Sequence, residues 1–189
     1  PKRALATVAI FAFLAIGIAP VLAQESNGKY TYDMTFDHDG FTTIDISYNS
    51  GTAGSGASWV AIPKNFTETT ILALRGAITS VKRIVYHSEN GGGAQPFYDN
   101  LTFSYTSSGE PFSMRLSFNM TGGAMIVEPN GFFYSPLIAV PSSAIVQAML
   151  TFPDGIQSLD EIQPTPVRVD TSSSRPQIFF NLLSESRVA

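Results

Sequence analysis

Residues 30–48 read YTYDMTFDHDGFTTIDISY, and this stretch decides the fold class. Large apolar residues occupy every second position on both sides of the DHDG segment, with Thr, Asp and Ser between them. A period of two is typical of a β-strand with one buried face. Asp and Gly favour a tight turn, so residues 37–40 connect two such strands. The stretch therefore predicts a β-hairpin.

Short apolar or alternating segments recur along the rest of the chain, with turn-forming residues roughly every ten positions. No segment has a sustained helical stripe, although residues 69–87 contain Ala, Leu and Lys that also suit a helical turn. The spacing predicts an all-β, antiparallel β-sandwich, immunoglobulin-like or jelly-roll-like, of about nine or ten short strands. The further strand segments are 59–62, 69–74, 78–87, 101–105, 112–118, 124–128, 146–152, 167–170 and 177–182.

Two other local features carry predictions. Ser107-Ser108-Gly109 separates two alternating segments, which predicts a second hairpin between them. Residues 131–138 form an unusually apolar loop that either covers the core or presents an aromatic interaction patch. That candidate patch consists of Phe132, Phe133 and Tyr134, with Trp59, the only tryptophan.

The first residues predict export. Lys2 and Arg3 precede an apolar run of about 15 residues, and small or apolar residues follow up to Ala23. This is the order of a signal peptide, residues 1–23, which forms a helix until it is cleaved. The run is shorter than the roughly 20 residues that span a bilayer, but an uncleaved anchor is the alternative. Residues 24–189 then form a single extracellular or cell-surface domain, which we expect to continue past Ala189 to a membrane tether.

Charge and composition exclude several classes of function. The chain has 11 basic and 15 acidic residues, and loss of residues 1–23 changes its net charge from −4 to near −6. Nucleic acids and anionic lipid headgroups require clustered Lys and Arg, so neither is an expected partner. The chain has no cysteine, which excludes thiol catalysis and cysteine-ligated metals.

Three Asn-x-Ser/Thr sequons provide candidate modification sites. They begin at Asn65, Asn100 and Asn119, and each has threonine in its third position. Oligosaccharide transfer requires that hydroxyl and a surface position, so these asparagines are candidate glycosylation sites in a host with the machinery. The alternative is that Asn65 and Asn119 are ordinary turn residues.

The remaining polar clusters do not match a catalytic or metal-binding motif. Asp37, His38 and Asp39, with Asp33 and Asp45 nearby, are the densest acidic group, but they lack the spacing of a calcium loop. His38 and His87 are the two histidines, and neither has the sequence context of a catalytic triad. We therefore predict no catalytic residue, no metal and no cofactor. A sugar platform of Trp59 with Tyr48 or Tyr98 is an alternative ligand site.

Three segments carry a resemblance to a group of known proteins: FYDNLTF at 97–103, FFYSP at 132–136 and FPDG at 152–155. With them, most of residues 24–189 resembles ectodomains of poorly characterised archaeal cell-surface proteins. The resemblance implies an immunoglobulin-like sandwich, a membrane anchor and a structural or adhesive role. It carries over no functional residue.

The expected function is therefore that of a non-enzymatic, exported cell-surface domain for assembly, adhesion or protein interaction. Its partners would be other cell-surface proteins or copies of itself. The alternatives are a carbohydrate-binding module that recognises glycans and, less favoured, a hydrolase domain that uses paired carboxylates, whose separation the sequence does not reveal. An unpaired strand at the edge of a sheet would favour assembly by strand addition.

Overall fold

The computed structural model describes residues 28–64, 67–88, 93–127, 130–156 and 158–188. These residues form strands and no helix, which confirms the all-β class. The predicted signal peptide, residues 1–23, and the sequon asparagine Asn65 lie outside the described residues. None of the described residues belongs to a helix that could cross a bilayer.

Fourteen strands are present in this part of the chain, more than the nine or ten predicted. They are β1 (Lys29–Phe36), β2 (Thr42–Asn49), β3 (Gly54–Pro63), β4 (Thr67–Arg75), β5 (Ala77–Ser88), β6 (Gly93–Ser107), β7 (Ser113–Met120), β8 (Ala124–Val127), β9 (Asn130–Phe133), β10 (Ile138–Ala139), β11 (Ile145–Thr151), β12 (Arg168–Asp170), β13 (Gln177–Leu182) and β14 (Glu185–Ser186). The prediction missed β10 and β14, whose two residues are too few to show a period. It also missed β9, most of which lies in the segment predicted to be an apolar loop.

Seven strands form the large sheet, in the order β12-β13-β11-β1-β2-β7-β4. β1 and β2 pair antiparallel, with Tyr30 opposite Tyr48, so the predicted hairpin is confirmed. β11 runs parallel to β1, with Lys29 opposite Ile145, so the prediction of purely antiparallel pairing is wrong. Parallel neighbours require a long crossover, and the long connection through the intervening strands supplies it.

A three-stranded small sheet has the order β3-β6-β5, and two pairs, β8-β9 and β10-β14, complete the structure. β6 pairs with β3 and β5, whereas β7 pairs with β2 and β4, so the predicted second hairpin is wrong. The reason is Phe112, a buried residue that follows β6 and precedes β7 in the chain. Its backbone N–H donates to the Ser50 hydroxyl at 2.9 Å, which carries the chain into the large sheet.

The small sheet is a continuation of one end of the large sheet. β2 leads into β3, β4 into β5 and β6 into β7, and the orders β2-β7-β4 and β3-β6-β5 match strand for strand. Gly76 makes the turn between β4 and β5 with a φ of 76°. A Cβ there would lie 2.5 Å from the Thr106 carbonyl oxygen, so only glycine fits this bend.

The bend brings the apolar faces of the two sheets onto one hydrophobic core. The Tyr30 hydroxyl lies 2.7 Å from that of Ser58, and the Tyr48 hydroxyl lies 3.2 Å from that of Tyr105. Both contacts join the large sheet to the small one. Residues from every long strand of the large sheet contribute, and the small sheet contributes Val60, Ile62, Leu101, Phe103 and Tyr105.

Candidate functional site

One long strand of the small sheet has a free side. β5 is 12 residues long and has β6 as its only neighbour in the described part of the chain. Residues 79–85 are all exposed, and we call this segment the open edge. Alternate residues of an edge strand direct their backbone N–H and C=O groups away from the sheet. The open edge is therefore a row of hydrogen-bonding groups that another strand can use.

The open edge also exposes apolar side chains. Val81 is 43% exposed, Val85 41% and Ile84 62%. The preceding strand β4, at the edge of the large sheet, adds Leu72 and Leu74, both more than half exposed. Natural proteins commonly shield long apolar edges because such edges promote association. An edge of this kind is consequently a candidate interaction surface.

Two bulges define the regular part of this edge. The pairing of β5 with β6 shifts between Ile78 and Ser80, and again between Val85 and Tyr86. Between these irregularities, from Ser80 to Val85, the register is continuous. Side chains alternate along that stretch, so Lys82 and Ile84 share the face of the small sheet that is turned away from the large sheet. Six residues are within the usual length of a strand, which is enough for one added strand.

The charge of the open edge is positive. β3, β5 and β6 together contain only three charged residues, Lys82, Arg83 and Asp99. Asp99 is largely buried and is shared: one oxygen lies 3.5 Å from Arg83 Nη2 and the other lies 3.6 Å from Lys64 Nζ. Lys82 has no carboxylate partner within the residues that the structure describes. The uncompensated charge at this edge is therefore that of Lys82.

The C-terminal end of β5 is occupied by another part of the chain. The Glu185 carboxylate accepts hydrogen bonds from the Tyr86 hydroxyl at 3.2 Å and from the Ser88 hydroxyl at 2.9 Å. Leu137 and Ala139 pack in a cluster with Ala61, Tyr86 and Tyr98. These contacts hold the last residues of β5 in place and leave Ser80–Val85 accessible.

A pair of carboxylates lies on the polar face of the large sheet. Asp33 on β1 is directly opposite Asp45 on β2. Burial raises the pKa of Asp33, and the Asp45 charge raises it further. Asp45 accepts a short hydrogen bond from the Ser117 hydroxyl and lies 3.9 Å from Arg115 Nε. The two groups are side by side on one sheet face, a geometry that does not place them on opposite sides of a scissile bond.

The acidic group between β1 and β2 forms a turn. Asp37 Oδ1 accepts hydrogen bonds from the backbone N–H groups of Asp39 and Phe41, so this carboxylate is used to close the hairpin. His38 Nε2 lies 2.7 Å from Asp154 Oδ1, and both side chains are 68% exposed. Within the described segments no three His, Cys, Asp or Glu residues are grouped as metal ligands would be.

The aromatic candidates are divided between two clusters. Trp59 is half-buried and packs on Tyr86 at a ring distance of 5.7 Å. Tyr48 and Tyr98 are 1% and 9% exposed, so the predicted sugar platform of Trp59 with either of them is wrong. Phe133 packs against Phe36 and Phe152, with ring distances of 5.2 and 4.7 Å.

The flanking aromatics Phe132 and Tyr134 are about half exposed, next to the packed Phe133. The aromatic segment thus both covers core residues and presents two rings to solvent. Because Trp59 and Phe133 belong to different clusters, the four residues of the candidate patch do not form one packed unit. As a ligand-binding surface the patch remains a prediction.

Two of the three sequon asparagines are described. Asn100 is on β6 and Asn119 is near the end of β7, and both are half-buried. The Asn100 side-chain oxygen lies 3.4 Å from the Thr102 hydroxyl, which can donate to it. Both asparagines are within strands, so the alternative interpretation of Asn119 as a turn residue is wrong. Their glycosylation remains a prediction.

No protein-family model matches the chain, and no curated protein matches it. Similar solved structures include an aminopeptidase N family protein from Idiomarina loihiensis, with 14% identity and a TM-score of 0.45. Another is an M1 zinc metallopeptidase from Deinococcus radiodurans, with 13% identity and a TM-score of 0.36. The alignments cover 84% and 91% of this chain but only 29% and 44% of those two chains. This chain therefore spans less than half the length of either.

Sequence reasoning identified the residues of β5 but missed their position at the edge. Position in a sheet depends on pairing between distant strands, which a single strand's sequence does not encode. One local signal was available: Lys82 and Arg83 interrupt an otherwise apolar and β-branched run. Charged residues in such a run are typical of an edge strand, because a central strand has no solvent for them.

Proposed function

We propose that this chain is an exported, non-enzymatic domain that binds another protein at the cell surface by strand addition. The observation that carries the proposal is the open edge: a long strand with one free side and exposed apolar residues. Main-chain hydrogen bonds would supply the affinity, and the side chains of Val81, Ile84 and Val85 would supply contact area. The predicted signal sequence at residues 1–23 supports the location.

We also propose that the two sheets form a β-sandwich. The shared core supports this architecture, since the inner faces of both sheets contribute to one cluster. The strand order of this sandwich would differ from that of an immunoglobulin constant domain. In that domain the fifth strand is in the same sheet as the first, second and fourth strands. Here β7 takes that place in the large sheet, and β5 joins the small sheet.

Site-specific crosslinking in the cells that produce the protein tests this function. A photo-crosslinking amino acid would replace Ile84 in the full chain, since this side chain is 62% exposed at the open edge. The matched control would replace Thr43, an exposed residue on a central strand of the large sheet. We expect a discrete protein adduct at position 84, absent at position 43, that protease added outside intact cells digests.

Two results would count against the proposal. Absence of an adduct at position 84, or the same adducts at both positions, would contradict recognition at the open edge. An adduct that is protected from external protease in intact cells, and digested after lysis, would contradict the surface location.

A further inference from the structure

We infer that the segment bound by the open edge is an extended, acidic stretch of a partner protein, an inference that rests on the proposed function. Between the two bulges, Ser80–Val85 offers a regular stretch to a partner strand. An added strand of that length would place one of its residues opposite each of these six.

Lys82 sets the charge of the partner. It is exposed at the centre of this stretch and has no carboxylate partner in the described residues, whereas the neighbouring Arg83 already shares Asp99 with Lys64. Opposite charges in directly opposed positions of two strands stabilise their pairing, and like charges destabilise it. The partner residue opposite Lys82 is therefore Asp or Glu.

The flanking residues set the rest of the pattern. Val81, Ile84 and Val85 are each more than 40% exposed, and apolar partners would remove their side chains from water. The partner pattern opposite residues 81–85 is accordingly apolar, acidic, unrestricted, apolar, apolar. Such a segment is acidic, in keeping with a partner drawn to a locally basic edge on a chain whose overall charge is −4.

A second copy of this chain fits the edge less well. Two open edges that pair antiparallel about the midpoint of Lys82 and Arg83 place each Lys82 opposite the Arg83 of the other copy. Like charges in opposed positions disfavour that arrangement, and no acidic residue lies on β5 to compensate for it. The charge therefore selects a different, acidic chain as the occupant.

Binding of synthetic peptides to the full chain tests the inference. The probe is a fluorescently labelled peptide of sequence TVVTEVT, which meets this pattern when it pairs antiparallel to β5. It is compared by anisotropy with TVVTKVT, in which lysine replaces the acidic residue. We expect the glutamate peptide to bind about fivefold more tightly, the scale of one exposed charge pair. N-methylation of alternate backbone nitrogens in the peptide should abolish binding if the contact is a strand pairing.

The protein variants supply the matched comparison. Lys82→Glu should reverse the preference so that the lysine peptide binds more tightly. Lys29→Glu makes the same charge change at an exposed position on β1 and should leave the preference unchanged. Circular dichroism and an unchanged melting temperature would show that both variants fold.

Several outcomes would overturn the inference. Three concern the peptides: equal affinities for the two, no saturable binding of either at about 1 mM, or undiminished binding of the N-methylated peptide. The fourth is a dimer of the unsubstituted chain in sedimentation that becomes tighter when Lys82 is replaced by Glu. The crosslinking at position 84 separates this failure from failure of the proposed function. An adduct combined with equal peptide affinities would remove the acidic partner and keep the interaction domain, whereas the absence of an adduct would remove both.

Discussion

Two tyrosines on β1 differ in whether their buried hydroxyl groups have hydrogen-bond partners. Tyr30 and Tyr32 are both at most 1% exposed and point to the same face. The Tyr30 hydroxyl lies 2.7 Å from the Ser58 hydroxyl and donates to the Trp59 carbonyl at 2.9 Å. The Tyr32 hydroxyl has no partner among the described residues. Burial raises the pKa of both, so both stay neutral.

Removal of the two hydroxyls should therefore change the free energy of unfolding differently. Tyr30→Phe leaves Ser58 and a backbone carbonyl without their partner, and we expect it to lower the free energy of unfolding by about 1–2 kcal/mol. Tyr32→Phe removes an unsatisfied hydroxyl and should leave stability unchanged or raise it by about 1 kcal/mol. Urea unfolding of both variants measures the difference. Equal destabilisation by the two changes would contradict this description of the core.

The carboxylate pair on the polar face predicts a stability that depends on pH. The pKa of Asp33 is raised above its ordinary value of 3.8, first by burial and then by Asp45. A carboxyl whose pKa is higher in the folded chain destabilises the fold as the pH rises above the unfolded value. Asp33→Asn should therefore raise the free energy of unfolding at pH 7, by about 0.5 kcal/mol since solvent screens this half-exposed site.

Thermal unfolding as a function of pH measures this effect. The gain from Asp33→Asn should be present at pH 7 and disappear as the pH falls below the ordinary Asp range. Asp160→Asn, the same change at an exposed loop residue, serves as the control and should have no such profile. A gain that persists at low pH would show that the Asp33 charge is not its cause.

At the scale of elements, the bend between the two sheets depends on Gly76. Gly76→Ala adds a Cβ at a φ of 76°, 2.5 Å from the Thr106 carbonyl and 2.9 Å from the Ser107 Cβ. We expect a loss of more than about 2 kcal/mol, because backbone strain and a clash with backbone atoms add together. Gly109→Ala has a φ of 82° and open space around it, so it should lose only about 1 kcal/mol.

Chemical denaturation of these two glycine variants separates the clash from the conformational strain. The difference between them is the contribution of close packing at the bend. Losses of the same size would mean that Gly76 is needed only for its backbone conformation and that the small sheet does not press against this turn.

The sequence predicted those elements whose period is intact. β1, β2 and β13 were predicted nearly to the residue because alternation and turn residues mark both their ends. The predicted hairpin after Leu101 was wrong. Ser107-Ser108-Gly109 has the chemistry of a hairpin turn, but the buried contact of Phe112 with Ser50 carries β7 into the other sheet. A contact between residues so far apart in the chain has no local signature.

The candidate site was predictable only in part. The apolar and β-branched character of β5 was evident, but Ala77 and Lys82 also suited a helical turn. Its position at the edge follows from the order β3-β6-β5, which depends on which strands find each other. The aromatic patch was predicted from composition, and composition does not distinguish the packed Phe133 from the exposed Phe132.

For the whole molecule, the bend between the large sheet and the small sheet explains why one edge remains open. The three strands that cross from the large sheet to the small one end in β5 on one side and β3 on the other. β10 lies against β3, and Glu185 holds only the last residues of β5. The centre of β5 is left exposed, with valine and isoleucine side chains in solvent beside a lysine.

Hydrogen exchange of individual amides in the full chain, with and without the peptide TVVTEVT, tests the central claim most directly. In the free protein, alternate amides of Ser80–Val85 should exchange rapidly, since they face away from β6. On addition of the peptide these same amides should become protected, while exchange in β1 and β2 stays unchanged. Protection of all these amides in the free protein, or peptide-induced protection that falls elsewhere, would contradict an open edge that binds by strand addition.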